Sequence, residues 1–278
     1  MKESPREGHG LHQHEPPIRS HPERSALSSE ELFNKTSPRQ TGRKPINGNQ
    51  HSSELKQKLQ GIPHFVPEEA YCRSGNKDML KDDVNCVQLV AGVDLPTRHG
   101  RFMLYGFYEA SNGAEHTAIV HGKVDQAVDC PVRLHSECHT GDVWGSLRCD
   151  CREQLEAAIQ YVASQERGAV VYLRQEGRGI GLLNKIKAYQ LQELGLDTVE
   201  ANEYLGYPAE ARDYGVAARI LALLGIQSVA LLTNNPDKIE KLTAEGVAVT
   251  RRIPLEMPAN PHNEFYLATK KRKMGHLY

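Results

Sequence analysis

The chain has 278 residues, 39% of them hydrophobic, and a formal net charge of -1, which suits one or two domains with a buried core. Such a balanced charge excludes a general attraction to nucleic acid or to an anionic membrane surface. No apolar run approaches the roughly 18 residues of a membrane-spanning helix, and the first residues lack the apolar core of a secretory signal. We therefore expect a cytoplasmic protein that binds neither nucleic acid nor membrane.

The first part of the chain differs in texture from the rest. Residues 1–60 are crowded with Pro, Ser, Gln, Asn, Arg and His and show no sustained apolar periodicity, which predicts a disordered extension. Scattered histidines in such a tail are more typical of a solvated segment than of a metal site. Residues 61–86 are predicted to be a linker or an accessory segment, and the folded domain is predicted to span residues 87–278.

Strands and helices alternate from Val87 onward. Strand patterns cover 87–109 (with a turn marked by Pro96 and Gly100), 116–122, 131–136, 168–175, 227–233 and 247–252. Helical apolar spacing covers 153–165, 182–194 and 213–224, a further helix follows an Asn235 cap with Pro236 at its first position, and a short helix ends the chain. This alternation predicts a layered α/β domain with its binding crevice at the carboxyl ends of the strands.

Three polar clusters directly follow predicted strands and should therefore converge: HSEC, RQEGRGIG and TNNPDK. The turn EGRGIG resembles a phosphate-binding loop at a helix N-terminus, although it fits neither a Walker loop nor G-x-G-x-x-G, and it could be only a turn. Thr233 and Lys238 could likewise hold a ligand or simply begin a helix. Glu210 and Arg212 form a charge pair of the kind that is usually a solvated surface feature.

Three of the six cysteines follow the spacing C-x10-C-x-C: Cys138, Cys149 and Cys151. Three thiolates can hold Zn²⁺ and leave its fourth position open for water, as in a catalytic site. A structural site would need a fourth ligand, which His135 or His139 could supply. The tight pair also favours a reduced compartment over a disulfide framework, and Cys72, Cys86 and Cys130 are most simply buried or inert thiols.

Two other zinc proteins have part of this pattern. Zinc nucleobase deaminases carry H-x-E and later P-C-x-x-C, whereas this chain has C-x-C and no preceding proline. A structural zinc knuckle in a nucleic-acid-binding protein would need basic and aromatic residues around the cysteines. Trp144 and Arg148 are present, but four acidic residues oppose phosphate binding there: Glu137, Asp142, Asp150 and Glu153.

Several motifs together resemble GTP cyclohydrolase II: HSECHTGDVWGSLRCDC, YLRQEGRGIGLLNKIKAYQLQELGLDTVEAN, GYPAEARDYG, LLTNNPDKIEKL and KMGHLY. They stand in the family's order and at matching separations over about residues 87–278. The resemblance implies a layered α/β/α domain with a mixed β-sheet, and a homodimer. Related bifunctional enzymes carry a 3,4-dihydroxy-2-butanone 4-phosphate synthase domain upstream, for which residues 1–86 look too short and too polar, so we expect a monofunctional protein.

The resemblance also implies a role for individual residues. Cys138, Cys149 and Cys151 match the ligands of one Zn²⁺ per subunit. The positions that match GTP-binding residues are Arg133, Leu134, His135, Ser136, Glu137, Gln154, Glu176, Gly177, Arg178, Thr198, Thr233 and Lys238. Arg212 matches a proposed nucleophile toward the α-phosphate, and Tyr189 matches a tyrosine that supports removal of the formyl group. Glu210 stands where many members have Asp as proton acceptor, so its carboxylate is one methylene further from the backbone.

The implied reaction is the first committed step of riboflavin synthesis. Zinc-activated water attacks C8 of guanine, the imidazole ring opens, and GTP yields 2,5-diamino-6-(5-phospho-ribosylamino)pyrimidin-4(3H)-one, formate and diphosphate. Mg²⁺ is expected to neutralise phosphate charge. A guanidinium is always protonated near neutral pH, so stabilisation of charge by Arg212 is at least as reasonable as a covalent guanylyl-arginine. A paralogue that stops at a formylated pyrimidine is an alternative outcome of the same fold.

Overall fold

The computed structural model describes residues 65, 86–208 and 211–277. The predicted extension at 1–60, almost all of the predicted segment at 61–86 and the predicted proton acceptor Glu210 lie outside these residues. The domain boundaries expected from the sequence therefore stay predictions.

The core of the domain is a seven-stranded sheet with the strand order β1-β2-β3-β5-β4-β6-β7. Its strands are β1 Val87–Thr97, β2 Gly100–Glu109, β3 Ala114–His121, β4 Cys130–Ser136, β5 Gly168–Leu173, β6 Ser228–Leu232 and β7 Ala248–Ile253. The first half, β1-β2-β3-β5, is antiparallel, and β5-β4-β6-β7 is parallel. The sheet is mixed, as predicted, and the parallel half points the carboxyl ends of β4, β5 and β6 toward one edge.

Helices cover both faces of the sheet. Those of the described residues are α1 His139–Asp142, α2 Cys151–Ser164, α3 Leu182–Glu193, α4 Thr198–Tyr204, α5 Gly215–Leu223, α6 Pro236–Ala244 and α7 Glu264–Met274, with a 3-10 turn at Glu176–Gly179. On one face Ile220 of α5 packs in a cluster with Leu231 of β6. On the other face Val162 of α2 packs in a cluster with Leu232. Adjacent β6 residues thus belong to different layers, which confirms the layered α/β/α prediction.

Every residue of β6 is buried, which explains its near-continuous apolar sequence. The cap of α6 is also as predicted, because the Asn235 side chain accepts a hydrogen bond from the Asp237 N–H, with Pro236 at the first position. Among the described residues no helix is both long and apolar enough to cross a bilayer.

Two helices and one hairpin differ from the sequence prediction. Residues 87–109 form two long strands rather than several short ones, and Pro96 is accommodated because β1 is an edge strand. The sequence did not predict α1 or α4, which are too short for an apolar period to emerge. The start of α4 is a capping box in which the side chains of Asp197 and Glu200 bind each other's backbone N–H groups.

The cysteines outside the motif have different states. Cys130 is a buried free thiol, as predicted, and burial raises its pKa to about 11, so it stays unreactive near neutral pH. Cys86 is buried but disulfide-bonded, so the prediction of a free thiol is wrong at that position. Disulfide pairing requires two Cβ atoms within about 4.5 Å of each other, a condition that spacing along the chain does not reveal.

Candidate active site

The three predicted polar clusters meet in one cleft at the carboxyl ends of β4, β5 and β6. The cleft, counted with the open space at its mouth, occupies about 1140 Å³, and residues of all three clusters line it. Three residues that line the cleft lie just after the ends of these strands: Cys138 after β4, Glu176 after β5 and Thr233 after β6. Convergence follows from the parallel pairing of these strands, which brings their carboxyl ends to the same edge.

The cysteine cluster lines this cleft. The ligand atoms of Cys138, Cys149 and Cys151 all lie within 4.8 Å of one another, and the Cys138 and Cys149 Sγ atoms are 3.7 Å apart. Two thiolates on one tetrahedral zinc, each ~2.3 Å from it, would be about 3.8 Å apart. Cys138 comes from the end of β4, and the other two come from the start of α2. The three sulfur atoms are thus spaced as metal ligands.

The helix α1 closes over the sulfur atoms because it carries glycine at position 141. A Cβ atom there would lie 2.9 Å from Cys149 Sγ and 3.2 Å from Cys138 Sγ, closer than a side chain normally tolerates. Gly141 therefore leaves space around the sulfur atoms that any other residue would fill. The space and the soft donor set both fit Zn²⁺.

Cys138 is the thiol most readily ionised. Its pKa lies far below the usual range because the Cys149 and Cys151 thiols donate hydrogen bonds to it and the Lys185 ammonium lies 3.2 Å from its sulfur. The hydrogen bond between Cys149 and Cys138 is the largest cause that raises the pKa of Cys149 to about 11. Lys185 lies on α3 and had not been selected from the sequence.

Glu176 ties the 3-10 turn to the cysteine loop. One carboxylate oxygen accepts a hydrogen bond from the His139 N–H (2.6 Å), and the other accepts from the Gly177 N–H (2.7 Å) and from Lys185 Nζ (2.9 Å). Three donors occupy this buried carboxylate, so its evident task is to hold the two loops together. Its expected role in binding GTP stays a prediction.

Asp142 stabilises the segment that carries Cys138. Its carboxylate accepts hydrogen bonds from His135 Nε2 (3.1 Å), from the Tyr172 hydroxyl (2.8 Å) and from the Cys138 N–H (3.0 Å). Burial lowers the pKa of His135, so the ring is neutral and donates its Nε2 proton to Asp142. His135 is thereby held as an orienting group, and the cluster of metal-type ligands among the described residues contains only cysteines.

Basic residues also line the cleft. Arg133, buried at its floor, donates to the Leu232 carbonyl (2.9 Å) and to Gln154 Oε1 (2.5 Å). Lys238 donates to the Leu134 carbonyl (2.9 Å). Leu134 itself does not line the cleft, because its side chain is 0% exposed and packs in the core.

Arg212 is brought to the cleft by the unusual backbone of the 3-10 turn. Gly177 and Arg178 both have φ values of 62°, the left-handed region, which is uncommon for a residue with a side chain and typical of functional sites. The Ala211 N–H donates to the Arg178 carbonyl, and a Cβ atom on Gly179 would lie 2.9 Å from the Ala211 carbonyl oxygen. Glycine at 179 therefore permits the close approach that positions Arg212.

Tyr189 lies beside the cysteine cluster. Its hydroxyl and Thr140 Oγ1 are 3.3 Å apart, and the Arg148 guanidinium lies 5.0 Å from the centre of its ring. Burial raises the pKa of Tyr189 to about 12, so the phenol keeps its proton at neutral pH. It can donate a hydrogen bond next to the sulfur atoms.

The cleft gathers nearly all residues selected from the sequence. Those lining it are Arg133, His135, Ser136, Glu137, Cys138, Cys149, Cys151, Gln154, Glu176, Gly177, Arg178, Tyr189, Thr198, Arg212, Thr233 and Lys238. Lining residues that the sequence reasoning missed include Arg148, Lys185, Asn202, Asn234, Tyr266, Lys270 and His276. His276 belongs to the motif KMGHLY, in which nothing local distinguishes a site histidine from a structural one.

The fold and the site together define an α/β enzyme whose three-cysteine cluster could hold a metal ion in a cleft that basic residues also line. The family model for GTP cyclohydrolase II matches residues 88–254, more than half of the chain, and the chain belongs to that family.

Named relatives agree with this membership. The chain is 54% identical over 191 residues to "GTP cyclohydrolase-2" of Azotobacter vinelandii, covering 69% of this chain and 92% of that protein. It is 53% identical to "GTP cyclohydrolase-2" of Tolumonas auensis, covering 70% and 98% respectively. It is 52% identical to "Riboflavin biosynthesis protein RibBA" of Endomicrobium trichonymphae, covering 68% of this chain but only 47% of that protein. The chain thus spans almost the whole of the first two relatives and about half of the third.

Proposed function

We propose that this protein hydrolyses GTP to 2,5-diamino-6-(5-phospho-ribosylamino)pyrimidin-4(3H)-one, formate and diphosphate, with Zn²⁺ as cofactor and in the service of riboflavin synthesis. The observation that carries the proposal is one cleft lined both by a three-cysteine cluster and by the basic residues Arg178, Arg212 and Lys238. GTP suits both sets of residues. Its guanine ring has a carbon that a metal-activated water could attack, and its triphosphate has negative charge that the basic residues could neutralise.

Cys138, Cys149 and Cys151 would hold one Zn²⁺ per subunit. When bound, Zn²⁺ supplies Lewis-acid activation of a water molecule near neutral pH. The protein side of this chemistry is to keep the sulfur atoms buried, to leave space beside Gly141, and to maintain the loop through Asp142 and Glu176. Outer contacts of this kind orient metal ligands and tune their affinity.

Tyr189 is suited to the deformylation step. Its protonated hydroxyl lies next to Thr140, whose own hydroxyl is 3.7 Å from Cys138 Sγ. A phenol at this place can donate a hydrogen bond to a carbonyl oxygen of a formyl group close to the cysteine cluster. Arg148 and Lys185 flank the ring and fix its orientation.

The basic residues would act on the phosphates. Arg212, with Arg178 and Lys238, would stabilise negative charge as the bond between the α- and β-phosphates breaks, and Mg²⁺ with the triphosphate would neutralise further charge. Glu210 is proposed as proton acceptor. The guanine and ribose would be bound by the remaining predicted residues that line the cleft: Arg133, His135, Ser136, Glu137, Gln154, Glu176, Gly177, Thr198 and Thr233.

The direct test is product analysis. The full chain, loaded with Zn²⁺ and supplied with Mg²⁺ and GTP, should release formate and diphosphate in equal amounts, measured by enzyme-coupled assays and by mass spectrometry of the pyrimidine. A formylated pyrimidine as final product would show the alternative that stops one step earlier. Absence of both formate and diphosphate would contradict the proposal. We also expect the protein to be cytoplasmic and to form a homodimer. Light scattering after size-exclusion chromatography would measure the oligomeric state.

Asp142→Asn should weaken zinc binding by about 10- to 100-fold, the usual effect of disturbing a contact behind the ligands. An amide has a single acceptor oxygen and no charge, so it cannot serve His135, Tyr172 and Cys138 together. Zinc affinity is measured by competition with a chromogenic chelator. The control is Asp237→Asn, since Asp237 pairs with Lys241 at the surface; equal zinc affinity in the two variants would contradict the prediction.

Tyr189→Phe should accumulate a formylated pyrimidine, with formate release falling by about a hundredfold, the lower end of the range for a lost proton-transfer group. Only the hydroxyl beside Thr140 is removed, so zinc content should be unchanged. The measurement is mass spectrometry of the products over time, and Tyr204→Phe, at an exposed position, is the control. Normal deformylation by the variant would make Tyr189 a packing residue.

A further inference from the structure

The C-terminal segment, residues 264–277, forms a wall of the cleft although the family match ends at residue 254. Three of its residues line the cleft: Tyr266, Lys270 and His276. None of the residues selected from the sequence lies in this segment. The part of the chain after β7 therefore contributes groups to the site for which no role has been given.

The segment is fastened to the rest of the domain at several points. The contacts are Lys270 Nζ with Asp150 Oδ1 (3.4 Å), Lys273 Nζ with Glu200 Oε1 (3.1 Å) and with Asp197, and the Leu277 N–H with the Asn234 carbonyl (2.8 Å). They reach the start of α2, the start of α4 and the loop after β6. Asp150 lies between two cysteines of the cluster, so α7 is tied directly to the cysteine-bearing segment. These anchors place the helix and the turn after it across the cleft.

His276 lies where positive charges from four parts of the chain come together. These four cationic side chains line the cleft together with His276. Burial is the largest cause that lowers the pKa of His276 to about 3, and the charges of Lys270, Arg178, Arg212 and Lys238 contribute to the same shift. These cations belong to α7, the 3-10 turn, the segment before α5, and α6. A neutral imidazole can donate a hydrogen bond to an anion without adding a fifth positive charge.

A diphosphate or triphosphate matches this group of cations better than a monoanion does, because it carries several negative charges and enough acceptor oxygens to contact several of them while Lys270 keeps its pairing with Asp150. The family resemblance already assigns Arg212 and Lys238 to GTP. The structure adds Lys270 and His276 from the C-terminal segment.

We propose that Lys270 and His276 complete the polyphosphate pocket of the cleft, with Lys270 supplying charge and His276 a hydrogen-bond donor to the phosphates that leave as diphosphate. This inference rests on the proposed function for the identity of the nucleotide. The binding of diphosphate itself can be measured without turnover, so the two proposals can fail separately.

The first test is calorimetric titration of the full, zinc-loaded chain with inorganic diphosphate and, separately, with guanosine. His276→Ala should weaken diphosphate binding by about tenfold, as expected for one hydrogen bond to a charged group, and leave guanosine binding unchanged. His276→Asn, which keeps an N–H donor, should recover part of the loss. The matched control is His262→Ala, because His262 is an exposed histidine of the same C-terminal region.

The second test uses the lysine. Lys270→Met should also weaken diphosphate binding by at least about tenfold, whereas Lys271→Met, one residue further along α7 and exposed, should not. Thermal melting of each variant shows whether the segment stays folded. If His276→Ala binds diphosphate as the wild type does, or loses diphosphate and guanosine affinity equally, the proposal is overturned. Wild-type protein that binds diphosphate but forms no formate from GTP would contradict the proposed function alone.

Discussion

Cys149→Ala is expected to remove bound zinc and to reduce formate release from GTP by at least about a thousandfold, because a lost metal costs several kcal/mol of transition-state stabilisation. Two thiols remain, Cys138 and Cys151, and two ligands cannot replace a three-ligand site whose sulfur atoms lie within 4.8 Å of one another. Zinc content is measured by atomic emission on the purified protein, and formate is measured by a dehydrogenase-coupled assay.

The control for this variant is Cys130→Ala. Cys130 is a buried free thiol of the core, so its replacement tests the loss of a buried sulfur atom without touching the cluster. We expect it to keep zinc and to release formate at close to the wild-type rate. Formate release at the normal rate by Cys149→Ala would show that the ring-opening chemistry does not depend on the cluster.

Arg212→Ala is expected to slow diphosphate release by about a thousandfold or more, the effect seen when an arginine that stabilises phosphoryl-transfer charge is removed. Arg212 reaches the cleft only because the 3-10 turn adopts a left-handed backbone and Gly179 allows the Ala211 carbonyl to approach. Pyrophosphatase-coupled measurement of diphosphate is the assay. Zinc content should be normal, since Arg212 is not one of the three clustered cysteines.

A lysine at this position separates the two roles considered for Arg212. Arg212→Lys keeps a positive charge but loses the planar fork, so a charge-stabilising role predicts partial activity, about 10- to 100-fold above Arg212→Ala. A covalent guanylyl-arginine predicts no recovery, together with an adduct on the wild-type protein visible by mass spectrometry of the denatured chain. Arg219→Ala, at an exposed position on α5, is the control. Diphosphate release by Arg212→Ala at the wild-type rate would contradict both roles.

The prediction of the sheet from sequence succeeded where burial leaves a strong local pattern. Strands such as β6 are buried on both faces and have an uninterrupted apolar sequence. The helices α1 and α4 were missed because one or two turns are too short for periodicity, and α4 depends on a capping box around Asp197. The free state predicted for Cys86 failed because pairing depends on distance in space.

The sequence predicted the metal-type ligands of the candidate site, but only some of the residues that hold those ligands in place. Motifs located the cysteines, the glycine-rich turn and Arg212 by residue type and order. Lys185 and Asp142 acquire their importance only from contacts, at 3.2 Å to Cys138 Sγ and 3.0 Å from the Cys138 N–H. Lysines and aspartates are common on helices and loops, so nothing in their local sequence distinguishes these two from solvated residues.

The sequence by itself determined the donor set and the alternation of strands with helices, because C-x10-C-x-C and buried apolar runs are local properties of the chain. Only the tertiary structure decided that Gly141 leaves space beside the sulfur atoms and that His276 lines the same cleft as cations from distant segments. Those relations depend on packing between residues far apart in the chain. Local propensity fixes each element, whereas the parallel pairing of β4, β5 and β6 brings their ends together and so creates the cleft.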